Sequence, residues 1–170
     1  PKSLLRHPKA AARLTDLSEG EFHPVLDDAT VQPAEVQRVV LCTGKIYFDL
    51  LARREKENAA ATALVRVEEL YPFPADELRA VLEKYSEASQ IMWTQEEPEN
   101  MGAWRYVALR LQPMIGEHAA LAYCGRPERA SPAEGYASDH EAEQDRIGFC
   151  KMGFQNGQGA CRDNGARRAS

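Results

Sequence analysis

At 170 residues the chain suits one domain of ordinary size, long enough to bury roughly two thirds of its unfolded surface in a core. Its formal charge of -5 comes without any clustered Lys/Arg stripe, which argues against a nucleic-acid groove, because counterion release needs cations facing phosphates. No window approaches the run of about 18 apolar residues that a membrane span requires, and the opening PKSLLRHPKAAARL lacks a signal-peptide core, so a cytoplasmic chain is expected.

The missing initiator Met and the opening Pro1 suggest a piece of a longer polypeptide. Residues 1–37 carry several Pro, Asp and Glu without a sustained period and are expected to form an arm, with one short helix near Ala10 to Leu14. Four apolar, β-branched runs then follow: RVVLCT (38–43), TALVRV (62–67), QIMWTQ (90–95) and ALAYCG (120–125). They are continuous rather than alternating in polarity, as expected for strands covered on both faces, and they alternate with helix-like segments. An α/β sheet is predicted.

The first helix, KIYFDLLARREKEN, presents Tyr47, Leu50 and Leu51 on one face and a solvated end from Arg53 to Lys56. The second, FPADELRAVLEKY, spaces Leu78, Val81, Leu82 and Tyr85 at i, i+3, i+4, i+7. In the third, Trp104, Val107, Ala108 and Leu111 repeat that stripe up to Pro113, which should end or kink the helix. SDHEAEQDRI can form a short acidic helix capped by Ser138 or Asp139. Beyond it, 148–170 changes to Gly, Asn, Gln and Arg and is expected to be a disordered tail.

The chemistry-bearing residues are few. Cys42, Cys124, Cys150 and Cys161 show no zinc spacing, and Cys42 and Cys124 sit in apolar runs as small buried hydrophobes. LCTGKIYFD is no Walker loop, because Val39 and Ile46 stand where a Gly and a Ser/Thr are needed. Strand, Thr43-Gly44-Lys45, then a helix N-terminus still forms a candidate anion or effector contact, against the plainer reading of Gly44 as a tight turn. Gly157 and Gly159 follow no strand, and His7, His23, His118 and His140 pair with no nucleophile. HEAE from His140 lacks a second His at i+4, where Gln144 stands.

The stretch WTQEEPENMGAW raises the question of an acid pair. Glu96 and Glu97 close the third run, and adjacent strand side chains point to opposite faces, so the two carboxylates are expected not to converge on one substrate atom. Pro98 holds Glu97 extended, and Asn100 is placed to cap the helix bearing Trp104. Glu96, Glu97, Asn100 and Trp104 are therefore read as interface residues, and no catalytic, cofactor-binding or metal residue is assigned.

In this order PKSLLRHP, VVLCTGKIYFDLLARR, ALVRVEELYPFP, WTQEEPENMGAW, GRPERASPAEG and HEAEQ resemble the C-terminal domain of the thiamine-diphosphate-dependent first component of 2-oxoglutarate dehydrogenase complexes, over about residues 1–147. The resemblance implies a three-layer transketolase C-terminal-like domain at 38–147, with a mostly parallel mixed sheet of about five strands between helices. It also implies a parent enzyme that oxidatively decarboxylates 2-oxoglutarate and passes the succinyl group to a lipoyl succinyltransferase component, in the tricarboxylic acid cycle. Thiamine diphosphate and magnesium would sit on preceding domains of the same subunit, so the chain alone is expected to be inactive, supporting a homodimer and the active-site architecture.

Two departures stand beside the resemblance. Some relatives take acetyl-CoA as an activator through basic side chains, whereas Glu21, Glu69, Asp76 and Glu77 present acids in the corresponding stretches; activation is expected to be absent. Family members end soon after the HxxEQ-like helix, and a shifted reading frame is a hypothesis for the unusual tail, tested by the genomic sequence downstream of Ile147. The competing functional class is a stand-alone binding or assembly module of the same fold. Size-exclusion chromatography discriminates, since a domain torn from its partners aggregates through exposed apolar surface.

Overall fold

A computed structural model describes residues 4–11, 14–116 and 119–150; His118, Gly157, Gly159, Cys161 and the tail from 151 onward lie outside the described residues. The sheet has five strands: β1 (Val25–Leu26), β2 (Arg38–Cys42), β3 (Thr62–Val67), β4 (Gln90–Pro98) and β5 (Ala120–Arg126). Their order is β1-β3-β2-β4-β5, with β1 antiparallel to β3 and every other pair parallel. The helices are α1 (Leu14–Ser18), α2 (Ile46–Glu57), α3 (Ala75–Lys84), α4 (Trp104–Leu111) and α5 (Ala137–Cys150).

The chain runs outward from β2 to β3, then crosses back over β2 to β4 and on to β5. Because parallel crossovers are right-handed, that reversal sends α2 to one face and α3 and α4 to the other. The core divides the same way. Val39, Leu41, Val65, Ile91 and Trp93 pack with Leu78, Val81 and Tyr85 of α3 and Trp104, Val107 and Leu111 of α4. On the opposite face Val40, Cys42 and Leu64 pack with Ile46 and Leu50 of α2 and Ile147 of α5. Strands covered on both faces account for the continuous apolar runs, and the α/β three-layer expectation holds.

Several details differ from the periodicity reading. The fifth strand, β1, comes from inside the arm, and two residues are too few to show alternation. The arm has a helix at Leu14–Ser18 and 3-10 turns at Leu4–Arg6 and Pro8–Ala10; of the helix expected near Ala10 to Leu14, residues 12 and 13 lie outside the described residues. On α2 the buried set is Ile46, Phe48, Leu50 and Arg54, with Tyr47 and Leu51 only partly buried, because the arm lays His7 against the Phe48 ring at 5.1 Å. Arg54 is thus not part of a solvated end. Ser138 and Asp139 lie within the first turn of α5, which starts one residue earlier at Ala137 and continues to Cys150, past the expected start of the tail.

Two acids fasten the arm. Asp27 accepts from Tyr85 Oη at 2.6 Å and Lys84 Nζ at 2.8 Å, and Asp28 accepts from Leu64 N at 2.9 Å and Thr30 N at 3.0 Å and pairs with Arg54. Burial pushes both carboxyls up, but these donors outweigh it and hold both below the ordinary 3.8. A depressed folded pKa means stabilisation that is present above the unfolded value and lost as pH falls through the folded one. Stability should therefore fall as the pH drops below 3.8, and Asp27→Asn should flatten that fall in urea melts run across this range. An unchanged acid limb in the variant would show that the arm is held by other contacts.

Candidate functional site

The carboxyl end of β4 carries an irregularity. Thr94 pairs with Cys124 and Pro98 with Arg126, so four steps along β4 match two along β5 and Gln95 to Glu97 bulge from the ladder. The bulge turns the Gln95 amide, 1% exposed, into a hub. Its Oε1 accepts from Trp93 Nε1 at 3.0 Å, Ala103 N at 3.1 Å and Trp104 N at 2.9 Å. Its Nε2 donates to the carbonyls of Glu97, Pro98 and Met101 at 3.3, 3.1 and 2.7 Å. One side chain thus satisfies both the free N–H groups that start α4 and the carbonyls of the loop before it. Gly102 makes room: its φ is +66°, and a Cβ there would stand 2.9 Å from Gln95 Nε2.

Glu96 and Glu97 diverge. Glu96 faces the α2 and α5 side, where Oε1 lies 3.0 Å from Lys45 Nζ and 3.0 Å from Gln144 Nε2. Lys45 also pairs with Asp49 at 2.8 Å, and Gln144 Nε2 donates to the same Asp49 carboxylate at 2.9 Å. Burial lowers the affinity of Lys45 for its proton, but the two carboxylates more than offset this and raise it above the ordinary ammonium range. An incoming anion would have to displace both acids.

Behind this group lies a second network. Arg126, 3% exposed, donates to the Glu96 carbonyl, pairs with Glu134 at 2.9 Å and approaches Gln144 Oε1 at 3.4 Å and His140 Nδ1 at 3.2 Å. Arg129 joins Glu134 at 2.6 Å and Glu143 at 3.0 Å. Burial pushes the Glu134 carboxyl up, yet its own backbone N–H and the two guanidinium groups hold it below the ordinary carboxylate range. The loop after β5 is thereby clamped to α5 and to the end of β4.

On the other side, Glu97 lines a cleft of about 410 Å³ with Thr43, Leu70, Tyr71, Gln95, Gly102, Ala103 and Tyr106. It lies beyond the carboxyl ends of β2, β3 and β4, where the strand order reverses, the usual ligand position in an open α/β sheet. Among the described residues no three His, Cys, Asp or Glu side chains form a metal-holding group, and no helix is long and apolar enough to cross a membrane.

A family model for the 2-oxoglutarate dehydrogenase C-terminal domain matches residues 11–149. The chain belongs to this family. It is 44% identical over 155 residues to a 2-oxoglutarate dehydrogenase E1 component of Geobacillus sp. (strain WCH70), covering 89% of this chain and 16% of the relative. The E1 component of Azotobacter vinelandii is 44% identical over 151 residues, covering 86% and 16%, and that of Haemophilus influenzae is 43% identical over 148 residues, with the same shares. The chain therefore spans about a sixth of the length of these relatives, all named as components of an enzyme.

Within this C-terminal domain the motifs carrying the early resemblance meet in space: LCTGK supplies Lys45, WTQEEPENMGAW supplies Gln95 and Glu96, GRPERASPAEG supplies Arg126 and Glu134, and HEAEQ supplies Gln144. Two assignments need correction. Asn100 caps no helix: its Nδ2 donates to the Arg129 carbonyl at 2.9 Å and its Oδ1 accepts from Arg129 N at 3.1 Å, while Gln95 does the capping. Trp104, expected at an interface, is 8% exposed and lies beside Tyr123 with ring centroids 5.2 Å apart, so its surface is used inside the domain. Thr43 lines the cleft, Gly44 sits at φ +73°, and Lys45 points to Glu96 instead. Gln95 and Arg126 were not singled out by sequence. A Gln or Arg bounding an apolar strand was the available signal, since a polar group there must find partners.

Proposed function

We propose that the chain is the C-terminal domain of a cytoplasmic 2-oxoglutarate dehydrogenase E1 subunit, which oxidatively decarboxylates 2-oxoglutarate and passes the succinyl group to a lipoyl succinyltransferase component. The observation that carries this is the family match over 11–149 together with E1 relatives about six times longer than the aligned region. Thiamine diphosphate, when bound, supplies the carbanion chemistry, and with its magnesium it belongs on preceding domains of the homodimeric subunit. The groups at the strand ends here do not suit a diphosphate: Lys45 is already faced by Asp49 and Glu96, so no step is routed through this domain. Its own contribution is architectural. Gln95 fixes the β4–α4 loop, and the Arg126 network fixes the loop after β5, so that rigid surfaces face the rest of the subunit.

The full-length protein should turn over 2-oxoglutarate in preference to pyruvate when supplied with cofactor and lipoyl acceptor, and deletion of residues 1–150 should abolish turnover. Added acetyl-CoA should leave the rate unchanged. A full-length protein inactive on 2-oxoglutarate, or a deletion with undiminished activity, overturns the reading. Activation by acetyl-CoA overturns only the effector part.

A further inference from the structure

Glu97 is the second acid of the strand-end pair. It is exposed, and among the described residues no cation or hydrogen-bond donor meets its carboxylate, whereas its backbone carbonyl accepts from Gln95 and Tyr123. The cleft it borders has Leu70, Ala103 and the rings of Tyr71 and Tyr106 as walls, with the Thr43 hydroxyl and the Gln95 amide as its uncharged polar groups. Gln95, the other polar side chain of note, has both amide atoms occupied. A group that fits must carry an apolar stem and a positive end, the description of a lysine or arginine side chain.

The surroundings favour a protein source. Tyr71 is 84% exposed at the rim. An exposed ring at the rim of an apolar cleft marks a contact surface. The E1 relatives extend far beyond the aligned sixth, which supplies a covalently attached partner at high effective concentration.

We propose that this cleft seats one lysine or arginine side chain, presented by the polypeptide that precedes this domain in the same subunit, with its stem along Leu70, Ala103 and Tyr106 and its charge on Glu97. The inference rests on the reading of the chain as one part of a longer E1 subunit. Glu97 then acts as a docking residue that sets how the domain sits against the rest.

The test uses the full-length protein with Tyr71 replaced by the photoreactive p-benzoylphenylalanine, followed by irradiation and mass mapping of the cross-link. The expected product joins position 71 to a segment of the same subunit upstream of Pro1, bearing a lysine or arginine within a few residues. Glu97→Lys should reduce its yield to background, while Glu97→Gln, which keeps the shape and removes only the charge, should reduce it partially. Tryptophan fluorescence from Trp93 and Trp104 should stay unchanged in both variants, since the Glu97 carboxylate has no partner among the described residues. Cross-links only to a second copy, only to another component, or of equal yield in Glu97→Lys each overturn the proposal. Turnover measured in parallel separates the two readings: an active enzyme without the cross-link overturns the docking inference alone, and an inactive one with it overturns the functional reading alone.

Discussion

Replacing Gln95 by leucine should lower the stability of the domain by about 4–6 kcal/mol, at the upper end of what single substitutions do. The side chains are close in volume, so the effect isolates the lost hydrogen bonds. Leucine would strand the Trp93 indole N–H, the Ala103 and Trp104 amides and three carbonyls that now share one amide group. Each buried group left unsatisfied costs roughly 1–3 kcal/mol, and water entering the opened loop would recover part of the total. Urea denaturation followed by tryptophan fluorescence suits the measurement, because Trp93 and Trp104 both bond the hub. A loss below about 1 kcal/mol would mean that the loop is organised without this amide. Gly102→Ala should act in the same direction, since the new methyl would press on Gln95 Nε2 while also straining a left-handed backbone position.

Arg54→Met is expected to rank second, with a loss of about 3–5 kcal/mol, because it leaves the Asp28 carboxylate buried without its cation. Arg54 is 8% exposed and also donates to the Thr62 carbonyl at 3.2 Å and to Thr30 Oγ1 at 2.8 Å. The damage should appear first in the arm, as faster hydrogen exchange at Val25 and Leu26, since Asp28 holds that segment against Leu64 of β3. Combining it with Asp28→Asn should recover part of the loss by removing the orphaned charge. No recovery, or an effect on the arm no larger than on α3, would refute this account.

Much of the organisation was legible locally. The four apolar runs share the starts of β2 to β5 and miss their ends by at most three residues, and the stripes on α3 and α4 gave their buried faces, because period and burial are both properties of a single element. Glu96 and Glu97 diverge as adjacent strand residues should, although the bulge between Thr94 and Pro98 interrupts regular pairing there. The candidate site was legible only in outline. Asn100 looked like a cap because capping is usually local, but Gln95, five residues before it and at the other end of the loop, claimed that role. Trp104 looked like an anchor because aromatic residues mark interfaces, but α4 turns it inward.

Fold class, the sheet's main strands and, through the order of the motifs, the family of the chain are all written in local sequence. Of the two strand-end acids, only the packing of distant segments settles that Glu96 is paired while Glu97 meets no partner among the described residues. Lys45 meets Glu96 across two strand ends, Arg126 meets Glu134 and α5, and Arg54 meets Asp28 from the arm, all between segments apart in the chain. That packing also decided the fifth strand, because Val25–Leu26 has no pattern until β3 offers it an edge. The physical reason is that burial leaves a periodic trace along one element. A polar side chain leaves none, since its partner is chosen only when distant segments close around it.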